Sequence, residues 1–346
     1  MASNMTIDDI ASALGVSKTT VSRAISGKGR ISDKTRERVR SYIEKHNYRP
    51  NSMARGLAQS RTFNICVTLP GQYGVVDLPF FRKCIAGMVD VTEREGYDIM
   101  LSVITGSDIS SLERIVEHRK ADGVILTRTR TEDRAAAYLK KKSFPFVAVG
   151  ASDDPDMVCV DQDNLGACRD LTGRLLGSGM KRLALIGGDE THVITGIRKR
   201  AFEEACREAG LEPDPDLMIL GVLDSEKVDL AVRRCLDLKA DCIVCMSDRL
   251  AGSILMRCSD LGIRIPEDIR IASYYGSSLL ETASPRVTSV YFDETRLGAE
   301  AASLLIRMIE GEEVKGKVLE GYTIRMERST RMPEQVPGLN DRCYIK

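Results

Sequence analysis

From residue 63 onward the chain repeats one unit: a short apolar run, a turn, and an amphipathic stretch. Apolar runs at 65–69, 99–104, 123–126, 146–149, 183–186, 218–221, 242–246 and 269–274 read as strands. Between them, 80–94, 165–177, 198–209 and 249–261 carry helical spacing. Near-continuous apolar strands alternating with helices are the pattern of parallel sheets covered on both faces. About 270 residues is too many for one such sheet and suits two. The fold class expected for this body is therefore α/β, with ligands bound beyond the carboxyl ends of the strands.

The first 62 residues are different. The whole chain balances 50 basic against 50 acidic residues, yet this head holds twelve cations and five acids. Its net charge is +7, so the remaining 284 residues carry −7. A basic head on an acidic body points to a polyanion-binding module joined to another function. Within the head, Thr6 can cap a helix whose Ile7, Ile10, Ala11 and Leu14 follow i, i+3, i+4, i+7 spacing. Gly15 supplies a turn, and Ser17 can cap a second helix with Val21, Ala24 and Ile25 inside. The outer face of that helix presents Lys18, Thr19, Ser22 and Arg23, with no acid to repel phosphates. Ser32 opens a third helix, packing through Val39, Tyr42 and Ile43. Two helices across a glycine turn, braced by a third, form a helix-turn-helix, whose second helix enters the DNA major groove.

Residues 5–61 resemble the DNA-binding head of the lactose-repressor (LacI/GalR) family of bacterial regulators. Four stretches carry the resemblance: Thr6-Ile-Asp-Asp-Ile-Ala11, Gly15-Val-Ser-Lys-Thr-Thr-Val-Ser-Arg23, Thr35-Arg-Glu-Arg-Val39 and Tyr48-Arg-Pro-Asn51. It implies that Lys18, Thr19 and Arg23 read bases, which their donors suit. Thr6, Ser17, Thr20, Ser22, Arg30, Asn51 and Arg55 complete the expected DNA contacts. The family uses the segment after Pro50 as a hinge that turns helical when two copies pair on DNA. Ala54, Arg55 and Leu57 match it, making Leu57 a minor-groove wedge. A plain linker is the alternative, and Gly56 departs from a helical pattern. The implied partner is a pseudo-palindromic double-stranded operator bound by a homodimer.

The resemblance extends over the body through Leu78-Pro-Phe-Phe81, Asp161-Gln-Asp-Asn164, Leu185-Ile-Gly-Gly188, Met246-Ser-Asp248 and Gly262-Ile-Arg-Ile-Pro-Glu-Asp268. It implies a two-subdomain body similar to periplasmic sugar-binding proteins, with an effector in the cleft. The expected division is a head at 1–50, a hinge at 51–62, a body at 63–333 and a tail at 334–346. Within the body, 63–163 with 292–323 would form one subdomain, and 164–291 with 324–333 the other. The tail has no leucine heptads, so no tetramerising coiled coil is expected.

Strand-end loops offer Tyr73, Phe80, Arg128, Asp163, Arg198, Asp248, Tyr275 and Phe292 as effector contacts. Phe80 could instead be core, and Asp163 could simply cap the helix it precedes. Two family positions are altered: Tyr275 replaces a carboxylate, and Phe292 replaces a frequent glutamine. The expected effector is a carbohydrate or sugar derivative; a nucleobase or other metabolite is the alternative. Arg128 and Arg198, with a carboxylate missing, tilt the expectation toward an acidic or phosphorylated sugar.

Other classes fit poorly. Gly187-Gly188-Asp189 lacks the spacing of a phosphate loop, and no catalytic triad pattern exists, so no catalytic residues or cofactor are expected. Only Cys242 and Cys245 form a CxxC, inside an apolar run and without nearby histidine, so no metal is expected. No apolar run spans a membrane, and Met-Ala-Ser-Asn-Met-Thr does not open like a signal peptide. The expectation is a cytoplasmic protein with reduced, buried thiols. An exported solute-binding protein would share the body but not the basic head.

Overall fold

The computed structural model describes residues 5–26, 29–46, 48, 56, 60–71 and 79–331. By contacts it divides into two units, residues 1–62 and 63–346.

The head has three helices, α1 (Ile7–Leu14), α2 (Lys18–Ser26) and α3 (Asp33–Lys45). Thr6 and Asp9 form a reciprocal cap on α1: the Thr6 N–H donates to the Asp9 carboxylate at 2.8 Å, and the Asp9 N–H to Thr6 Oγ1 at 3.3 Å. Gly15 ends α1 at φ 64°, a left-handed conformation that only glycine adopts without strain. Ser17 and Ser32 accept from the amides of Thr20 and Thr35, opening α2 and α3. Ile10, Ala11, Val21, Val39 and Tyr48 form the small core, with Ala24, Ile25, Tyr42 and Ile43 at its margin. All but Tyr48 are inner-face residues that helical spacing picks out.

The body runs β1 (Asn64–Pro70), α4 (Pro79–Glu95), β2 (Asp98–Ile104), α5 (Ser110–Glu117), β3 (Gly123–Leu126), α6 (Arg134–Lys141), β4 (Phe146–Val149) and β5 (Cys159–Gln162). It continues through α7 (Asn164–Gly177), β6 (Leu183–Ile186), α8 (Val193–Glu208), β7 (Met218–Ile219), α9 (Ser225–Asp237), β8 (Cys242–Cys245), α10 (Asp248–Asp260) and β9 (Arg270–Ser273). It closes with α11 (Ser278–Glu281), β10 (Thr288–Tyr291), α12 (Glu294–Ile309), β11 (Lys317–Leu319) and β12 (Thr323–Arg325). Two six-stranded sheets result, ordered β11-β5-β4-β3-β1-β2 and β12-β10-β9-β8-β6-β7. Neighbouring strands are parallel except β10 and β12. The chain passes between the sheets three times: after β5, after β10 and after β11. All three passages leave from one edge of each sheet.

Four strands escape the apolar-run reading, among them β10, which opens on the polar Thr288 and Ser289. β5 ends in Asp161 and Gln162, and β11 and β12 have three residues each. β7 is shorter than expected because only Leu185 and Ile186 of β6 pair with it. Helix α8 starts at Val193, one and a half turns before Arg198. On the first sheet α4 and α12 cross at glycines. A Cβ on Gly87 would overlap the Thr295 carbonyl oxygen, and one on Gly298 that of Cys84.

Candidate functional site: a basic recognition helix and a cleft cavity

On the head, Ser17, Lys18, Thr19, Ser22, Arg23 and Arg30 are exposed. Lys18 meets Asp8 at 2.6 Å, an exposed ion pair of little energetic weight. Thr6 and Ser17 are engaged as caps, and Thr20 shares a 2.9 Å hydroxyl contact with Ser17. The α2 face is thus polar, cationic and anchored at its N-terminus. Asn51, Arg55, Leu57 and Tyr73 lie outside the described residues.

In the body a cavity of about 540 Å³ opens between the strand ends of the two sheets. The first sheet's side contributes Phe80, Phe81, Arg128 and Asp161; the second contributes Asn164, His192, Arg198, Asp248 and Tyr275. Five expected effector residues therefore converge here: Phe80, Arg128, Arg198, Asp248 and Tyr275. Two do not. Asp163 turns away to cap α7, its Oδ1 accepting from Gly166 N–H at 2.8 Å. The unsatisfied first amides of the helix claim it. Phe292 packs in the core beside Tyr322, ring centroids 6.5 Å apart, and does not line the cavity.

Arg198 is the centre of the polar wall. One Nη donates to the Met246 carbonyl and the other to Asn164 Oδ1 at 3.1 Å. Its Nε is buried without a hydrogen-bond partner among the described residues. Asp161 and Asp248 flank it. Burial raises the Asp161 carboxyl to about 6, against Gln162's backbone amide, the Arg198 charge and Asn164. Burial also raises Asp248, opposed by the Ser277 hydroxyl and the Arg249 amide.

The apolar wall is aromatic. Phe80 meets Phe81 and Tyr275 edge to face, at 5.2 and 6.0 Å between centroids. The Arg128 guanidinium lies 5.5 Å from the Phe81 ring centre. Tyr275 does not offer its hydroxyl to the cavity: it donates to buried Glu294 at 2.6 Å, and Lys83 pairs with that carboxylate at 3.2 Å. Burial of His192, with the Arg128 charge, pulls its imidazole down to about 4, so it is neutral at pH 7.

Asp161, Asn164, His192 and Glu294 escaped the sequence reading. Asp161 had a signal, because it sits in the Asp161-Gln-Asp-Asn164 motif beside a core-facing Val160. His192 and Glu294 had none, since their roles arise from pairing between distant segments.

A carboxyl raised by burial costs stability above the pH at which it ionises. Asp161 in the unfolded chain ionises near 3.8, in the folded chain near 6. The penalty is absent below pH 4, grows through pH 4–6 and is full above 6, at ~3 kcal/mol. Asp161→Asn is therefore expected to stabilise the body at pH 7 and to confer no gain at pH 3.5. Denaturant unfolding at the two pH values checks this; equal effects at both would remove burial as the cause.

Among the described residues no group of three His, Cys, Asp or Glu could hold a metal ion, and no helix is long and apolar enough to cross a membrane. The Cys242 and Cys245 thiols are buried and their ionisation is pushed up by that burial.

Comparison with known proteins agrees with this geometry. Residues 6–51 match the family of bacterial regulatory proteins of the lacI type, and 172–330 match a periplasmic binding protein-like domain. The chain is 30% identical to the HTH-type transcriptional regulator CelR of Thermobifida fusca over 314 residues, 89% of this chain and 92% of that one. It is 27% identical to catabolite control protein A of Staphylococcus aureus over 318 residues, covering 90% and 94%. The solved transcriptional regulator CelR-cellobiose complex superposes with a TM-score of 0.71 at 28% identity, covering 94% of this chain and 99% of that one. The lac repressor dimer bound to operator shares the fold, with a TM-score of 0.75 at 20% identity over 94% and 99%. These relatives are regulators rather than enzymes. The chain belongs to the lacI family of bacterial regulatory proteins and is a DNA-binding transcriptional regulator.

Proposed function

We propose that this regulator is a cytoplasmic repressor whose operator affinity is set by a neutral sugar or small glycoside in the cleft cavity. The cavity wall carries this reading: the aromatic Phe80 and Tyr275 line the same cavity as Arg198, Asn164 and two buried carboxylates. A sugar ring presents an apolar face and hydroxyls that both donate and accept, so it satisfies both walls. The cellobiose in the CelR complex supports the ligand class. Asp161 and Asp248 beside Arg198 weigh against an anionic sugar, which they would repel. The balance shifts from acidic or phosphorylated sugars to neutral ones.

The body also calls for a second copy. β2 is a sheet edge, and its Leu101 and Val103 are 52% and 47% exposed. Met256 and Leu279, on the adjacent helices α10 and α11, are 68% and 46% exposed. Apolar edges left bare invite aggregation, and burial in a homodimer covers them. Two heads then read two half-sites of a pseudo-palindrome.

A calorimetric screen of neutral sugars, sugar acids, sugar phosphates and purines tests the ligand class. Neutral sugars are expected to bind once per chain; binding by purines alone would overturn it. On DNA, Arg23→Ala is expected to cost roughly 1–3 kcal/mol on an operator selected from random duplexes, and to relax one base position. Equal losses on operator and random DNA would reduce Arg23 to a phosphate contact. Footprinting the operator against its promoter tests repression.

A further inference from the structure

The cavity does not end at the cleft. Beyond Arg198 and Asp248 it continues as a groove between the start of α9 and one face of α10. Leu223, Ser225 and Val228 line one side of the groove. On the other side Arg249, Ser253, Met256 and Asp260 recur every three or four residues, as neighbours on one helix face must. From Arg249 to Asp260 that face runs about three turns, ~16 Å, which a single sugar ring cannot span. Within the cleft, His192 stands opposite Arg130 in an antiparallel bridge between loops of the two sheets. That bridge spans the cleft beside His192, and the groove is where the cavity has room for added ligand length.

The charges along the groove are engaged. The Arg257 Nε donates to Asp229 at 2.6 Å, tying α10 to α9, and an Arg257 Nη lies 3.9 Å from Asp260. Asp224 accepts the Lys227 amide at 2.9 Å as the cap of α9. The groove also holds the Ser225 and Ser253 hydroxyls, alongside the exposed apolar side chains of Leu223 and Met256. Hydroxyls that donate and accept, set among apolar surfaces and paired charges, suit a further neutral ring better than a phosphate or carboxylate.

We propose that the effector is an oligosaccharide of about two or three units. One ring lies against Arg198, Phe80 and Tyr275, and the next is carried into the groove between Ser225 and Ser253. This deepens the proposed function and rests on the cavity being the effector site. The volume of about 540 Å³ agrees, since sites that enclose drug-sized molecules measure ~300–1,000 Å³. A linked second ring adds contacts without a second loss of translational freedom, so affinity climbs with length. Met256 also lies on the face expected to meet a second copy, so the test variants avoid it.

The test uses the full chain and ladders of one to about four units: β-1,4-linked glucose, β-1,4-linked xylose and α-1,4-linked glucose. In the ladder that binds, calorimetry is expected to show affinity rising about tenfold or more from one unit to three. Ser253→Phe fills the groove from α10 and should remove that rise. Ser225→Trp fills it from the exposed first turn of α9, so a folding defect in the first variant cannot decide the outcome. Hydrogen exchange across 225–228 and 253–257 should slow about threefold or more with the three-unit sugar and not with the single one. Equal affinity at every length, or a rise that survives both fillings, would overturn the subsite. If single sugars bind as well as longer ones, the subsite falls alone and the ligand class stands. If purines bind and no ladder does, the ligand class falls and the subsite with it.

Discussion

Arg198→Ala is expected to weaken effector binding at least about 100-fold, ~2.7 kcal/mol, and to uncouple operator binding from the ligand. Arg198 joins Asn164 and the Met246 carbonyl, and its charge lies between Asp161 and Asp248. Without it the two buried carboxyls lose their nearby cation and take up protons more readily. Arg198→Lys is expected to restore little, because an ammonium cannot reproduce the planar fork that serves both acceptors. Calorimetry with the sugar found in the screen measures the loss. Affinity within about threefold of wild type would remove Arg198 from the site.

The second large effect lies in the helix crossing beneath the cavity. Gly298→Ala is expected to destabilise the body by about 3 kcal/mol, at the upper end of overpacking costs. A Cβ there overlaps the backbone of Cys84, which no rotamer change can relieve. Helix propensity alone predicts the opposite sign, a gain of ~1 kcal/mol from replacing glycine in a helix. Gly173, exposed in α7 with open space around it, isolates that gain. Gly173→Ala should stabilise by roughly 0.5–1 kcal/mol while Gly298→Ala destabilises. Denaturant midpoints for the two variants decide it; a stable Gly298→Ala would mean the helices can separate at no cost.

The reading of this chain from sequence succeeds where local chemistry and global fold coincide. β3, β4, β6 and β8 are buried on both faces and appear as unbroken apolar runs, and β1 as a run interrupted only by the buried Thr68. The head's three helices announce themselves by caps at Thr6, Ser17 and Ser32 and by clean inner faces. β5 is hidden because its end serves the cavity: Asp161 and Gln162 break the apolar run that would mark a strand. Asp163 takes the capping role, one of the two open to it, for a related reason. In an extended strand it would share a face with Asp161, but the chain turns into α7 there and the helix takes its carboxylate. Phe292 looked like a lost polar contact, yet its place after β10 sends it into the core. The Tyr275–Glu294–Lys83 chain and the Arg130–His192 bridge join residues that are far apart in sequence, so no local pattern encodes them.

A molecule in the body's cavity is expected to set how tightly the head holds DNA. Operator titration by fluorescence anisotropy, with and without the sugar identified by calorimetry, tests it most directly. A ligand that prefers one cleft angle about 100-fold supplies ~2.7 kcal/mol of bias, ample for a switch. The expected result is a shift in operator Kd of about tenfold or more at saturating sugar, absent in Arg198→Ala. Unchanged wild-type operator affinity at saturating sugar would mean that the cavity does not control the head.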